Sequence, residues 1–270
     1  MGSDYTVEKY VIVKKNRIPV SCIREIPENP AGIVIAVHGF SSSKTGPTYR
    51  LLLESMPAYG LGAVAFDLPG HGTEESAAEL LRIQGAIDSL EAVERDVSMR
   101  YPGLPVYYFA SSFGAYLTGL YISSREHAGR KAFFRSAAVN MPALFIKENL
   151  TEKEKKQLED LERQGWFDTD MDLHAPVRIT REMYRDLAET DLFELFDPVH
   201  GGQHLIQMVH GAEDDVIDPA EAVRFAEKFS LPIRLFEQEG HALSNDPRLP
   251  GCLMKEAAEF FGQAETPAKG

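Results

Sequence analysis

The chain has 270 residues, of which 44% are hydrophobic and 26% are charged. This composition is that of an ordinary globular protein, and a chain of this length buries a sizeable core without disulfides or a structural metal. The formal net charge of −13 disfavours a nucleic-acid partner, because phosphates attract clustered Lys and Arg side chains.

The N-terminus and the two cysteines bear on the cellular compartment. The opening residues, MGSDYTVEKY, lack the basic region and apolar run of a signal peptide. No apolar stretch approaches the ~20 residues that a membrane span requires. Cys22 and Cys252 lie far apart without metal-like spacing, so we interpret both as small buried hydrophobes. These features predict a cytoplasmic protein without a membrane partner.

Apolar, β-rich runs alternate with helical patterns along the chain, and the turn-like KKNR predicts that the first two runs pair antiparallel. The predicted strands are Tyr10–Val13, Ile18–Ile23, Gly32–Val37, Gly62–Phe66, Val106–Ala110, Ser136–Asn140, Leu205–Val209 and Ile233–Glu237. The predicted helices are Tyr49–Ala58, Ala77–Arg100, Gly114–Ser124, Ala220–Phe229 and Leu253–Phe261. This order predicts an α/β fold with a mostly parallel sheet of about eight strands flanked by helices, and with ligands at the carboxyl ends of the strands.

One long segment, residues 141–202, interrupts this alternation. Its predicted elements are a capping box from Thr151 to Glu154 that begins a charged helix ending near Arg163, a hairpin of Trp166–Asp170 with Val177–Thr180, and a helix over Arg181–Ala188. An insertion with its own secondary structure predicts a cap or lid on a core formed by residues 1–140 and 203–270. Its apolar residues Leu144, Phe145 and Trp166 are candidates for lining a site. The alternative is that this segment is a surface insertion without a functional role.

The segment after VYYFA carries the candidate nucleophile. It reads Ala110-Ser111-Ser112-Phe113-Gly114 and lies between a predicted buried strand and a predicted helix. A nucleophile elbow needs this context, because its strained turn presents one hydroxyl at the positive end of the helix. The usual pattern is G-x-S-x-G, so alanine here replaces the first glycine. The spacing to Gly114 selects Ser112 as the nucleophile.

Two later loops carry the candidate base and acid. His241 follows the predicted strand IRLFE, and Asp214 follows LIQMVHG, so Ser112, Asp214 and His241 occur in the chain order of this kind of triad. A histidine takes the serine proton as a general base, and the acid holds the imidazole in the required tautomer. Asp215 and Asp218 remain alternatives for the acid, and we interpret them as a solvated loop residue and a helix N-cap.

Two backbone N–H groups are candidates for an oxyanion hole. The run GIVIAV leads into His38-Gly39-Phe40, a position that supplies one donor in this arrangement. The residue after the nucleophile, Phe113, supplies the other. Together the N–H groups of Phe40 and Phe113 would stabilise a tetrahedral oxyanion.

The remaining histidines are interpreted as structural, surface or strand-flanking residues: His38, His71, His127, His174, His200, His204 and His210. No pair has the spacing of a zinc-binding helix, so the sequence predicts no metal and no other cofactor.

In chain order, HGF, DLPGHG, ASSFG, HGAEDDVIDP and EGHA resemble the motifs of the α/β-hydrolase superfamily. The resemblance extends from about Tyr10 to Phe261 and is strongest to bacterial feruloyl and cinnamoyl esterases and to monoacylglycerol-lipase-like enzymes. Those relatives carry a similar insertion as a lid over an aromatic acyl pocket. The resemblance implies the α/β-hydrolase fold and a cofactor-free carboxylic ester hydrolase that forms an acyl-enzyme with a small-molecule ester.

Two other functions remain open at this stage. The same triad serves a peptidase, an aminopeptidase or a thioesterase, because all of them share acyl-enzyme chemistry. Acidic residues of the insertion would then bind a substrate amine, although they are also typical of a solvated face: Glu152, Glu154, Asp170 and Asp172. A non-catalytic binding protein on the same fold is the third hypothesis.

Overall fold

The computed structural model describes residues 7–14, 17–72, 81–169, 176–200 and 205–263. The strands in these ranges are β1 (Glu8–Val13), β2 (Pro19–Glu25), β3 (Ile33–Val37), β4 (Gly62–Phe66), β5 (Val106–Ser111), β6 (Gly129–Arg135), β7 (Trp166–Asp168), β8 (Arg178–Thr180), β9 (Leu205–Gly211) and β10 (Ile233–Phe236). The helices are α1 (Pro47–Ser55), α2 (Ile83–Arg100), α3 (Phe113–Ser124), α4 (Met141–Phe145), α5 (Glu152–Gln164), α6 (Arg181–Glu189), α7 (Leu192–Leu195), α8 (Pro219–Lys228) and α9 (Leu249–Gly262).

Eight strands form one sheet in the order β1-β2-β4-β3-β5-β6-β9-β10. β2 is antiparallel to both of its neighbours, β1 and β4, and each other neighbouring pair is parallel. β7 and β8 form a separate antiparallel hairpin. The predicted mostly parallel sheet and the predicted antiparallel pair at the start of the chain are confirmed.

The central strands are apolar because helices cover both faces of the sheet. All residues of β3, β4 and β5 are buried, as expected for strands between two helical layers. One layer of the core includes Leu90, Tyr116 and Phe225, and the other includes Phe109 and Phe261. Each such side chain contributes roughly 1.5–3 kcal/mol through burial.

The strand predicted at Ser136–Asn140 is wrong, because the strand at this place in the sheet is β6, Gly129–Arg135. Its sequence, GRKAFFR, carries three cationic residues and does not resemble a buried strand. Lys131 is nevertheless buried, and its Nζ donates to the carbonyl oxygens of Phe260 at 2.9 Å, Phe261 at 3.1 Å and Gln263 at 2.6 Å. Hydrogen bonds to the carbonyl groups at the C-terminal end of α9 therefore offset the cost of burying the Lys131 charge.

Smaller differences concern helix starts and one cysteine. The helix predicted from Ala77 begins at Ile83 within the described residues, and residues 77–80 lie outside them. The last helix begins at Leu249, four residues before the predicted start. Cys22 is buried as expected, whereas Cys252 is exposed. None of the helices in the described ranges is both long and apolar enough to cross a lipid bilayer.

The inserted segment, residues 141–202, has the local structures that its sequence predicts. The capping box is present, with the Thr151 hydroxyl accepting from the Glu154 N–H at 3.2 Å and the Glu154 carboxylate accepting from the Thr151 N–H at 2.7 Å. The hairpin and the following helix are also present as β7, β8 and α6. Arg82, the residue just before α2, donates two hydrogen bonds of 2.6 and 2.7 Å to Asp186 of α6.

Candidate active site

The candidate nucleophile lies in a strained turn between β5 and α3. Ser112 has φ 52° and ψ −121°, a conformation that costs on the order of 1–3 kcal/mol for a non-glycine residue. The surrounding backbone holds it there: its N–H donates to the Arg135 carbonyl at 2.9 Å, and its carbonyl accepts from Ala115 at 3.0 Å. A Cβ at Gly114 would lie 2.2 Å from the Val37 carbonyl oxygen. The last glycine of the motif is therefore required by the close approach of α3 to β3.

The alanine at the first position of the motif fits the strand. Ala110 is fully buried within β5 and lies in register with Val37 on one side and Phe134 on the other. Its methyl group points to one face of the sheet and packs in the hydrophobic core, so the departure from G-x-S-x-G leaves the elbow intact.

The three predicted triad residues come together although they lie far apart in sequence. His241 Nε2 is 3.1 Å from Ser112 Oγ, and His241 Nδ1 is 2.8 Å from Asp214 Oδ2. The two other candidate acids take different positions: Asp215 is exposed, and Asp218 accepts from the Ala220 N–H at 2.9 Å as the N-cap of α8.

Asp214 is held as a carboxylate by its hydrogen bonds. Burial alone would raise its pKa, but hydrogen bonds from His210 and His241 outweigh burial and lower the pKa below its ordinary range. Its second oxygen, Oδ1, accepts from the N–H groups of Val216 and Ile217, both at 2.9 Å. A carboxylate in this position stabilises an imidazolium at His241.

His210 is the residue that sequence reasoning missed. It was expected at the surface or at the flank of a strand, but it is fully buried at the end of β9, and its Nε2 is 2.9 Å from Asp214 Oδ2. A Cβ at the next residue, Gly211, would lie 2.2 Å from the Glu239 carbonyl oxygen, so the loop of His241 crosses the chain here. The sequence signal was a His-Gly pair at the end of a buried strand, the same pattern as His38-Gly39.

The loop that carries His241 is tied to the end of β6. The Ser136 hydroxyl donates to the His241 carbonyl at 2.8 Å, and the buried Arg135 guanidinium donates to the Ala242 carbonyl. Burial lowers the pKa of Arg135, while the nearby carboxylates of Asp214 and Glu239 oppose that shift. The backbone around the histidine is therefore fixed by buried groups on a neighbouring strand.

The two candidate oxyanion donors lie beside the nucleophile. A Cβ at Gly39 would be 3.1 Å from Ser112 Cβ, so the loop after β3 passes directly next to the serine. The rings of Phe40 and Phe113 are 4.7 Å apart. Across the described part of the chain, no turn or loop hydrogen bond uses the N–H of either phenylalanine. Both N–H groups thus belong to residues that border Ser112.

The DLPGHG turn supports the Phe40 loop. His38 Nε2 accepts from the Leu68 N–H at 3.0 Å, and His71 Nδ1 is 2.9 Å from the Pro69 carbonyl. The His71 ring lies 5.5 Å from the Phe40 ring. Burial is the main cause that lowers the pKa of His71 to about 3, and the neighbouring His38 is the second cause. The His71 imidazole is therefore neutral near pH 7. These contacts agree with the structural role expected for both histidines.

A cavity of about 530 Å³ opens next to Ser112, between the core and the inserted segment. Most of its wall is apolar, with Phe40, Phe113, Ile217, Met141, Leu144, Phe145, Leu158 and Phe167 among the lining residues. The candidates Leu144 and Phe145 line the cavity, whereas Trp166 does not and instead stacks against the Arg178 guanidinium. In the described ranges, no group of three or more His, Cys, Asp and Glu side chains is arranged to hold a metal ion.

A family model described as "Serine aminopeptidase, S33" matches residues 28–248, which include Ser112, Asp214 and His241. The chain belongs to the S33 family. This membership, together with the fold, makes the protein a hydrolase of the α/β-hydrolase type.

Solved structures show the same fold in other proteins. Est1E from Butyrivibrio proteoclasticus, solved with bound ferulic acid, superposes with a TM-score of 0.74 at 15% identity over 93% of this S33 chain and 98% of that chain. A provisionally named hydrolase from Agrobacterium vitis S4 gives a TM-score of 0.74 at 18% identity, with coverage of 93% and 98%. At these identities the likeness establishes the α/β-hydrolase fold and nothing finer.

Curated relatives resemble only part of the chain. Two Mycobacterium tuberculosis proteins provisionally named phosphoribosyl transferases are each 30% identical over 110 residues, which is 40% of this chain and 25% of each relative. The match therefore spans about a quarter of the length of these relatives.

Proposed function

We propose that the protein is a serine esterase that cleaves carboxylic esters with small or aromatic acyl groups, hydroxycinnamate esters included. The observation that carries the proposal is the continuous hydrogen-bond path from Ser112 Oγ through His241 to Asp214, which opens onto a mostly apolar cavity of about 530 Å³. In this proposal residues 141–202 act as a cap, because they supply one wall of the cavity.

The proposed reaction follows from the positions of these groups. As Ser112 Oγ attacks the ester carbonyl carbon, His241 Nε2 accepts the hydroxyl proton. The carbonyl oxygen becomes an oxyanion between the N–H groups of Phe40 and Phe113, each of which is worth about 2.7–4 kcal/mol of transition-state stabilisation. Collapse of this intermediate expels the alcohol, which takes the proton from His241. Water then attacks the acyl-enzyme, His241 again acts as the base, and the acid leaves.

The cavity wall favours an apolar acyl group. Leu144 and Leu158 from the inserted segment and Ile217 from the core line it together, and each buried methylene of a ligand gains roughly 0.8 kcal/mol. The bound ferulic acid of Est1E shows that this fold accommodates an aromatic acid, and it motivates the choice of hydroxycinnamate esters as test substrates.

An aminopeptidase is the second candidate, and one observation favours it. Asp215 is exposed and lines the same cavity as Ser112, so its carboxylate could bind a substrate ammonium group. The Glu154 carboxylate also borders the cavity, but it is engaged by Lys147 at 2.7 Å and by Thr151. A panel of p-nitrophenyl esters, methyl ferulate, an acyl thioester and aminoacyl p-nitroanilides separates these activities. For an aminopeptidase, Asp215→Asn would abolish anilide turnover, whereas for an esterase it leaves ester turnover nearly unchanged.

The nucleophile is tested with a fluorophosphonate probe and peptide mass spectrometry. We expect the adduct on Ser112, and we expect Ser112→Ala and His241→Ala to lose both labelling and turnover of p-nitrophenyl butyrate by at least about 10³-fold. Ser111→Ala is the matched control and should be labelled like the wild type. An unlabelled but folded wild-type protein, or a Ser112→Ala variant that keeps its turnover, would overturn the proposal.

A further inference from the structure

Two imidazoles meet on one oxygen of the candidate acid. Asp214 Oδ2 lies 2.8 Å from His241 Nδ1 and 2.9 Å from His210 Nε2. The side chains of Asp214 and His210 are both completely buried, whereas that of His241 is partly exposed. The proposed reaction uses His241 and Asp214, and it leaves His210 without a role.

The chemistry of the contact determines where His210 carries its hydrogen. An ionised carboxylate only accepts hydrogen bonds, so both nitrogens that face Oδ2 must carry hydrogen. Across the described residues, His210 Nδ1 is buried without a hydrogen-bond partner. His210 Nε2 also lies 3.3 Å from the Ile217 carbonyl oxygen, which likewise only accepts hydrogen bonds. Loss of the imidazole would therefore leave both this carbonyl and the Asp214 carboxylate with one donor fewer.

We propose that His210 is a positioning residue of the catalytic centre, a second imidazole that fixes the Asp214 carboxylate and shares its negative charge with His241. This inference rests on the proposed function, because it assigns His210 a part in the same reaction. His210 acts through Asp214 and does not itself line the cavity. The two imidazoles approach Oδ2 from β9 and from the loop after β10, so the carboxylate is held between these two parts of the chain.

Several charged groups surround this pair. Arg135 at the end of β6 is buried, and its charge interacts with both Asp214 and Glu239. Glu239, on the loop of His241, accepts from the N–H groups of Asn245 and Asp246 at 2.9 and 2.8 Å. These groups remain unchanged when His210 is replaced, so any change in pH dependence is assigned to the lost imidazole donor.

The direction of the expected change follows from the shared charge. Without the His210 donor, more of the Asp214 charge acts on His241, and the imidazolium form of His241 gains stability. Turnover requires neutral His241, so the acid limb of the kcat/KM profile moves to higher pH. Asp214 keeps hydrogen bonds from Val216, Ile217 and His241 and therefore remains a carboxylate near neutrality.

The test compares three replacements of His210. His210→Leu removes the donor, His210→Gln places an amide N–H near the position of Nε2, and His210→Asn is a polar control whose shorter amide does not reach Asp214. For p-nitrophenyl butyrate between pH 5 and 9, we expect the leucine and asparagine variants to lose roughly tenfold in kcat and to shift the acid limb upward by about half to one pH unit. The glutamine variant should recover most of both effects.

A second readout does not depend on activity. In proton NMR spectra, the wild type should show two low-field N–H signals from imidazoles bonded to Asp214, and His210→Asn should lose one of them and shift the other. If wild-type Ser112 is not labelled by the fluorophosphonate, the proposed function fails, while these signals still decide whether His210 binds Asp214. Unchanged profiles in folded leucine and asparagine variants would overturn the role of His210, and so would a glutamine variant as impaired as the other two.

Discussion

The nucleophile elbow and the inserted segment hold their residues by different means. The elbow keeps Ser112 at a φ of 52° through buried backbone hydrogen bonds and the close approach at Gly114. In the inserted segment, α5 has one buried residue, Leu161. Its surface carries ion pairs such as Arg163–Asp160. Such surface pairs contribute about 0–1 kcal/mol each.

This difference suggests a division of roles within one site, in which the elbow serves the chemical step and the inserted segment serves substrate selectivity. A nucleophile must be placed within a fraction of an ångström, and only a densely packed sheet edge provides that precision. On the opposite wall of the cavity, Leu144 and Leu158 belong to α4 and α5, each of which has a single buried residue. Perturbing the elbow should therefore damage catalysis with every substrate, whereas perturbing the insertion should alter the response to the acyl group.

Among the tests of this difference, Gly114→Ala is expected to have the largest effect. Its new Cβ would lie 2.2 Å from the Val37 carbonyl oxygen and 2.6 Å from that of His38, so α3 must shift away from β3. We expect a loss in stability of at least about 1–3 kcal/mol and a loss in kcat/KM of about 10²-fold for every ester tested. Thermal unfolding and steady-state kinetics measure both quantities.

Gly119→Ala is the matched control in the same helix. Its Cβ would meet side-chain atoms of Leu192 at 3.1 and 3.2 Å and of Phe196 at 3.6 Å but no backbone atom among its nearest neighbours, and these side chains can move. Because alanine favours a helix over glycine by about 1 kcal/mol, we expect stability and turnover close to those of the wild type. Equal damage from both substitutions would show that the close contact at Gly114 is not what matters.

The second effect concerns the core far from the nucleophile. Lys131→Met removes the cation that binds the last carbonyls of α9 and leaves buried acceptors without a donor. We expect a loss of about 1–3 kcal/mol in unfolding free energy, with kcat/KM unchanged well below the melting temperature. Lys255→Met on the exposed side of α9 is the control, since its ion pair with Glu259 spans 3.7 Å at the surface. A parallel loss of activity in the Lys131 variant would contradict this separation.

The same lysine shows where sequence reasoning stops. The elbow was predictable because its strand, serine and glycine are adjacent in sequence, and the triad was predictable because the acid and base follow strands in a fixed order. β6 was misplaced and His210 was misjudged because each buries a polar side chain. His210 faces Asp214, four residues later, whereas the partner of Lys131 comes from a distant element. Lys131 binds carbonyls more than a hundred residues away, and local patterning carries no trace of such a partner.

The cavity wall illustrates the same limit in a different way. Leu144 and Phe145 were candidates because they are apolar residues of the insertion, and they do line the cavity. Trp166 was chosen on the same ground but stacks on Arg178 instead. Whether an apolar residue of such a segment faces the site depends on the packing of the hairpin, and hydrophobicity alone does not determine that.

The smallest effect is expected in the inserted segment, from Thr151→Ala. This change removes the hydroxyl that accepts from the Glu154 N–H at 3.2 Å, which costs about 1 kcal/mol of local helix stability. Because Thr151, Lys153 and Glu154 line the cavity, fraying of this first turn should raise KM severalfold for methyl ferulate and leave p-nitrophenyl acetate almost unaffected.

The control for this change is Arg163→Ala, at the other end of the same helix. Arg163 is largely exposed, does not line the cavity and forms a surface ion pair with Asp160, so both substrates should be cleaved at wild-type rates. If Thr151→Ala slows the acetate and the ferulate equally, the first turn of α5 acts on the catalytic groups themselves. The division between a rigid nucleophile and an adaptable acyl wall would then be wrong. A selective change in KM for the ferulate, with the melting temperature preserved, would instead place substrate selection in this turn, because the elbow contributes equally to both reactions.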